Sequence, residues 1–318
     1  MERENIMNSI IRVEGLEKSY RKNRAVQNIT FDVYEGEILC LLGPNGAGKS
    51  TTINILTTAL KADSGRIYFN GRDLGKATQE YRSCLGIVPQ DLALYEELSA
   101  EKNVAFFAAL YGVNRKELGA KVDEALNFVG LLDKKKDKVK TFSGGMKRRL
   151  NIACAIAHNP EIIFLDEPTV GIDPQSRNHI LNSIKELKEK GATVIYTTHY
   201  MEEVEEISTR IIIVDHGKII AEGTKESLKE KLAEEKQYLI ESDEVEKLEK
   251  DEIFKIAGVK NVDIEGNRIR ISVIKGIDNL DKIISILIGR KMKINNVTNE
   301  EASLETVFLK LTGRTLRN

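Results

Sequence analysis

A short apolar run ends in a dense set of glycines. Glu37–Leu42 passes directly into Gly43-Pro44-Asn45-Gly46-Ala47-Gly48-Lys49-Ser50-Thr51, and an amphipathic stretch carrying Ile53, Leu56 and Leu60 follows. A buried strand, a glycine turn and a helix in immediate succession form the opening of an α/β unit built on a parallel sheet. The spacing Gly-x4-Gly-Lys-Ser also has a chemical meaning. Glycines let backbone N–H groups close on anionic oxygens without side-chain obstruction. The helix that follows aims its positive end at the same anion. Lys49 is placed to neutralise β/γ-phosphate charge and the Ser50 hydroxyl to bind Mg²⁺.

Residues 8 to about 224 continue this alternation of short β-type runs and longer helical stretches. Ile162–Leu165, Thr193–Thr197 and Ile211–Val214 are apolar and rich in β-branched residues, as strands covered on both faces require. Arg66–Asn70 reads as a further strand closed by an Asn70-Gly71 turn, and Asp215–Lys218 as the turn of a terminal hairpin. All five prolines (44, 89, 160, 168 and 174) fall in this part and are read as loops or strand starts. A Lys/Glu-rich helical connection follows over 225–236, and a small α+β domain over 237–318. Within that domain the pattern gives strands at Gln237–Glu241 and Lys293–Val297, helices at Val245–Ala257, Ile277–Gly289 and Ser303–Leu311, and a hairpin around Gly266-Asn267.

Composition narrows the function. Lys plus Arg number 48 against 49 Asp plus Glu, so there is no global field for gripping nucleic acid. The basic run Lys134–Lys138 has no interleaved aromatics and reads as a solvated loop face. The longest uncharged stretch, Asn103–Asn114, is 12 residues, short of the roughly 18–20 that cross a bilayer. The first residues lead into no apolar secretory segment, and a cytoplasmic location is expected. Cys40, Cys84 and Cys154 lie apart among apolar residues and are read as buried, inert thiols.

A second apolar strand ends in Leu165-Asp166-Glu167-Pro168. A carboxylate there can hold Mg²⁺ through water, which suits Asp166, and Glu167 can polarise a water for in-line attack on a γ-phosphate. Between the two nucleotide motifs stands Phe142-Ser143-Gly144-Gly145-Met146, which resembles the signature sequence of ABC-type ATPases. The other landmarks of that family follow in order: Tyr20 matches the adenine-stacking aromatic, Gln90 in Val88-Pro89-Gln90 the Q-loop glutamine, Asp173 in Gly171-Ile172-Asp173-Pro174 the D-loop carboxylate, and His199 in Thr197-Thr198-His199 the switch histidine. The resemblance covers roughly residues 10–225. Phe142 and Met146 depart from the usual Leu and Gln, while Ser143 and Gly145, the phosphate-facing positions, are kept.

The resemblance implies a P-loop NTPase with a helical subdomain, ATP and Mg²⁺ as ligands, and catalysis by Glu167, His199 and Lys49. It implies nucleotide contacts from Tyr20, residues 43–51, Gln90, Ser143, Gly144, Gly145 and Asp173, and metal contacts from Ser50, Gln90 and Asp166. Ser143 opens an apolar-periodic helix, a second anion-binding terminus that one chain with one phosphate cradle does not need. In the family it caps the ATP of a partner protomer, so two ATPs are buried in a head-to-tail homodimer.

Residues 86–112, Thr198–Glu203 and the ending Ser303–Leu309 resemble the exporter branch that includes drug-resistance and sodium-extrusion ATPases. There the ATPase is a separate polypeptide docked on a membrane permease, which implies a peripheral place on the cytoplasmic membrane face. The stretch 91–112 lies where the family meets that partner, but Phe106, Phe107 and Leu110, at helical spacing, are read as subdomain core. The resemblance of the small domain to the extra domain of the drug-export branch implies a role in dimer pairing or permease regulation. Two rivals stand beside the exporter: an importer ATPase, and a soluble ABC ATPase acting on ribosomes or nucleic acid. Ribosome-acting members generally join two cassettes, and repair members insert a long coiled coil. This chain has one cassette, and 116 residues separate Lys49 from Asp166.

Overall fold

The computed structural model describes residues 8–21, 23–232, 235–300 and 304–313. The chain packs as two units, divided between Lys225 and Glu226.

The first unit is organised by a six-stranded sheet in the order Lys218–Gly223, Arg210–Asp215, Ile38–Leu42, Thr193–Thr198, Ile162–Asp166, Leu85–Val88. All neighbours are parallel except the terminal hairpin Arg210–Asp215/Lys218–Gly223. Ile38–Leu42, Ile162–Asp166 and Thr193–Thr198 are buried at every position, which is why their sequences are continuous apolar runs without alternation. The registers Leu42 to Thr198, Asp166 to Thr197 and Val88 to Leu165 align the carboxyl ends of four strands on one edge. The loops that leave this edge carry the glycine turn, the Asp166-Glu167 pair, His199 and Gln90.

A second sheet, four-stranded and antiparallel, joins Ser9–Tyr20, Asn23–Tyr34, Ser64–Phe69 and Arg72–Asp73. The strand read as Arg66–Asn70 is its third member, and Asn70 and Gly71 form the following turn with φ of 48° and 72°. Helix Lys49–Leu56 buries Ile53, Ile55 and Leu56 in a core shared by both sheets. That helix ends at Leu56, so Leu60, read as one of its apolar positions, lies beyond it. Pro174 opens a helix, Pro174–Glu189, where fixed φ and a missing donor are tolerated; it marks neither a loop nor a strand start.

The helical part comprises Ala100–Leu110, Leu118–Phe128 and Gly144–Ile156. The face of Ala100–Leu110 that turns inward is Ala100, Asn103, Val104 and Ala108, not the aromatics. Phe106 is 40% and Leu110 67% exposed, and Phe107 is only partly buried, which corrects the core reading of these three residues. The reason is steric: two alanines and a valine admit close approach of the neighbouring helices, and the rings pack instead against Tyr95, Phe106 edge-to-face and Phe107 tilted. Cys40 and Cys154 are buried, whereas Cys84 is only partly so.

The second unit contains an antiparallel sheet in the order Val259–Glu265, Arg268–Ile274, Glu235–Ser242, Ile294–Glu300. With helices Lys250–Phe254 and Leu280–Gly289 between strands, this is a βαββαβ arrangement. Its core joins Tyr238, Ile240, Ile253, Ile271, Ile283 and Leu287. The connecting helix ends at Leu232 and the next strand starts at Glu235, two residues earlier than the sequence boundary. The stretch Val245–Ala257 is not one helix: Val245–Lys247 is a single 3₁₀ turn, Leu248 is extended, and Lys250–Phe254 is a short α-helix. The break lets Leu248 and Ile253 enter the same core. Helix Leu280–Gly289 begins three residues after Ile277, and Leu304–Thr312 closes the described chain. Ser303, expected to start that last helix, lies outside the described residues.

Candidate functional site

The glycine turn owes its composition to crowding as much as to conformation. A Cβ on Gly43 would stand 2.2 Å from the Val214 carbonyl oxygen, and one on Gly48, at φ 105°, 2.3 Å from that of Ala25. The turn therefore lies flat between the hairpin of the central sheet and the antiparallel sheet. Gly48 caps helix Lys49–Leu56 without any side chain.

Lys49 is buried and its Nζ is fully engaged. It donates to the carbonyls of Gly43 at 2.8 Å and Pro44 at 3.2 Å, and lies 3.0 Å from Glu167 Oε1. Ser50 Oγ donates to Asp166 Oδ1 at 3.1 Å, and Thr197 Oγ1 donates to the same oxygen at 2.6 Å. Burial pushes the Asp166 carboxyl up, while these two hydrogen bonds and the Lys49 charge pull it back. Glu167 adopts φ 47°, a left-handed backbone uncommon outside glycine. Its N–H is held by the carbonyl and hydroxyl oxygens of Thr197 at 3.2 and 3.0 Å. His199 Nδ1 lies 3.5 Å from Glu167 Oε1, completing a chain from phosphate loop to switch turn.

Tyr20, Asn45, Gly46, Ala47, Gly48, Lys49, Ser50, Thr51, Gln90 and Glu167 line one open pocket of about 380 Å³. Gly43 and Pro44 join it through the Lys49 ammonium, Asp166 through Ser50, and His199 through Glu167. A hollow of about 490 Å³ walled by Lys121, Phe128, Glu186 and Lys190 is larger, but contains none of these groups.

Ser143, Gly144, Gly145 and Asp173 lie outside the pocket and form a second group. Ser143 caps helix Gly144–Ile156, its Oγ accepting from Met146 N at 3.2 Å. Ser143 and Gly144 face solvent, and a Cβ on Gly144 would touch nothing. A Cβ on Gly145 would meet Ser176 Oγ at 2.1 Å, so this glycine is the packing point between the signature helix and helix Pro174–Glu189. Asp173 caps the latter through Ser176 N at 2.9 Å, and hydrogen bonds from Ser176 hold its carboxyl below the usual range.

Two participants escaped the sequence reading. Thr197 organises both carboxylates, and the signal lay in the strand register that pairs it with Asp166. Arg148, within the signature helix, is buried and donates to the carbonyls of Pro89 and Gln90 at 3.0 and 2.8 Å.

Comparison with known proteins gives the family. The family described as ABC transporter matches residues 26–170. The chain is 42% identical to the linearmycin resistance ATP-binding protein LnrL of Bacillus subtilis, over 97% of this chain and all of the relative. It is 34% identical to the daunorubicin resistance ATP-binding protein DrrA3 of Streptomyces coeruleorubidus, over 95% of this chain and 96% of that one. Among solved structures, a dimeric ATP-binding cassette in a post-hydrolysis state with ADP and Pi superposes with a TM-score of 0.62 at 28% identity, covering 67% of this chain and 98% of the cassette. With phosphate loop, paired carboxylates and relatives in accord along nearly its whole length, the chain belongs to the ABC transporter family as an ATP-binding ATPase subunit, resembling the drug-resistance branch.

Proposed function

We propose that two copies of this chain bind ATP and Mg²⁺ between them, head to tail, and that hydrolysis drives a separate membrane permease in export. The observation that carries the reading is the convergence of Lys49, Ser50, Asp166, Glu167, Thr197 and His199 through contacts of 2.6–3.5 Å at the carboxyl edge of one parallel sheet.

In this reading the loop 43–51 surrounds the phosphates and the exposed Tyr20 ring stacks on adenine. Lys49 meets β/γ-phosphate oxygens; a phosphate on its ammonium competes with Glu167 for the same cation. Release of Glu167 Oε1 lets it accept the proton of an attacking water. His199, whose Nδ1 shares Glu167 Oε1 with the Lys49 ammonium, is the group that would meet the γ-phosphate. Solvent-facing Ser143 and Gly144 and the neighbouring Gly145 cap the triphosphate of the partner, with Asp173 on the same closing surface.

The residues fit Mg²⁺. The Ser50 hydroxyl, the Asp166 carboxylate joined to it and Gln90 on the pocket rim are hard oxygen donors, suited to an ion completed by phosphate and water. When bound, the ion would neutralise charge on the transferring phosphate.

The permease reading is supported by the exposed Tyr95, Phe106 and Leu110, with the half-buried Phe107 ring against the first two, apolar area that a solitary subunit has no reason to present. No helix among the described residues is long and apolar enough to cross a membrane. LnrL and DrrA3 are resistance proteins by name, which favours a drug-like cargo moved outward; docking on a permease would give this subunit a peripheral place on the cytoplasmic membrane face. The direct test is Glu167→Gln. Turnover is expected to fall about 10²–10⁴-fold with ATP still bound; a wild-type rate would remove Glu167 from the chemistry.

A further inference from the structure

Arg148 is a charged residue in an expensive place. It is 7% exposed on helix Gly144–Ile156, surrounded along that helix by the buried Leu150, Asn151 and Ile152. Among the described residues no carboxylate lies within ion-pair distance of it, and burial pushes its guanidinium toward the neutral form, opposed by the more distant Asp91 and Asp166. A packing role alone would be met more cheaply by an apolar side chain.

Its partners explain the cost. Two nitrogens of the planar fork donate to two successive carbonyls, Pro89 at 3.0 Å and Gln90 at 2.8 Å. These carbonyls belong to the loop that follows strand Leu85–Val88, and the Gln90 side chain lines the nucleotide pocket. The same helix starts at its Ser143 cap, about 7.5 Å back along the axis from Arg148 at about 1.5 Å per residue. One side chain thus joins the pocket's rim to the exposed turn. A lysine, with one compact ammonium, has no fork matched to two adjacent carbonyls.

We propose that Arg148 is a positioning residue that ties the Gln90 loop to the Ser143 helix, so that nucleotide entering the pocket and the pose of the capping turn change together. This deepens the clamp reading and rests on it. The chain contains no tryptophan, so Leu92→Trp, on the exposed part of the same loop, installs a sole indole reporter. In that full-length background Arg148→Lys, Arg148→Gln and Arg148→Ala are compared with Arg148.

ATP affinity of the isolated chain, measured by calorimetry, is expected to stay unchanged while kcat falls about 10- to 100-fold with KM little altered. The indole emission is expected to become more accessible to acrylamide and to lose its response to ATP. Methylguanidine, but not methylamine, is expected to restore part of the Arg148→Ala rate, a rescue that a general packing defect would not give. A cooperative thermal transition in each variant shows that it is folded; should Arg148→Ala not fold, the Lys and Gln variants carry the same readouts. An unchanged kcat together with an unchanged indole response in Arg148→Lys or Arg148→Gln would overturn the tether while leaving the ATPase site intact. If the Arg148 parent binds ATP but never dimerises or hydrolyses it, the clamp reading fails and the tether fails with it.

Discussion

Lys49 is the residue on which the pocket turns, because its buried ammonium answers to two loop carbonyls and one carboxylate at once. Replacing it by alanine removes the only cation that lines the nucleotide pocket among the described residues. Lys49→Ala is expected to weaken ATP binding by at least about tenfold, about 1.4 kcal/mol, in calorimetry; unchanged affinity would deny its contact with phosphate. His158 behaves differently. Its Nε2 donates to the Leu85 carbonyl at 2.9 Å and its ring stacks on Tyr111, which leaves a buried Nδ1 without a hydrogen-bond partner. Burial lowers its pKa from the ordinary 6.5, so the folded form resists a proton that the unfolded chain accepts. The stabilisation is complete above about pH 6.5 and is lost as pH falls toward the lower folded value, at most about 1.4 kcal/mol per pH unit. Urea titrations at about pH 7.5 and about pH 5.5 are expected to show a smaller loss for His158→Gln than for the wild type; equal losses would rule out His158 as the titrating group. Lys49, Asp166 and Glu167 are legible in the sequence because each sits at a fixed offset from an apolar run. Thr197 and Arg148 are not, because their partners are 30 or more positions away and are set by strand register and helix packing.

At the scale of elements, legibility follows burial. Ile38–Leu42, Ile162–Asp166 and Thr193–Thr198 are covered on both faces and stand out as continuous apolar runs. Ser9–Tyr20 and Asn23–Tyr34 do not stand out, since they mix buried and exposed positions with repeated register shifts and carry polar residues throughout. The break at Leu248 is equally hidden, because a helical spacing of apolar residues is also met by a bent segment whose two ends reach one core. Helix Ala100–Leu110 gives the most instructive difference: bulk suggests core, and small residues prove to be the inward face. In the proposed export reading, its outer aromatics are the face offered to the permease. Phe106→Asp is expected to leave ATP binding intact and to reduce co-purification with the cognate permease about tenfold or more, as loss of a buried aromatic anchor would. Full retention would remove this face from the contact.

For the molecule as a whole, the proposed clamp makes one chain half of a working pair. The pocket and the exposed Ser143 turn lie on separate groups within one protomer, which is the arrangement a two-chain clamp requires. The smaller unit is legible as α+β from its alternating strands and Gly266-Asn267 turn, yet nothing in its sequence marks a ligand. The clamp is tested most directly by light scattering of Glu167→Gln with saturating ATP and Mg²⁺. A mass twice the 35.7 kDa of the chain is expected, reverting to one chain when Ser143→Arg is added while ATP remains bound. A Glu167→Gln protein that stays monomeric with ATP bound, or a double variant that still dimerises, would contradict it.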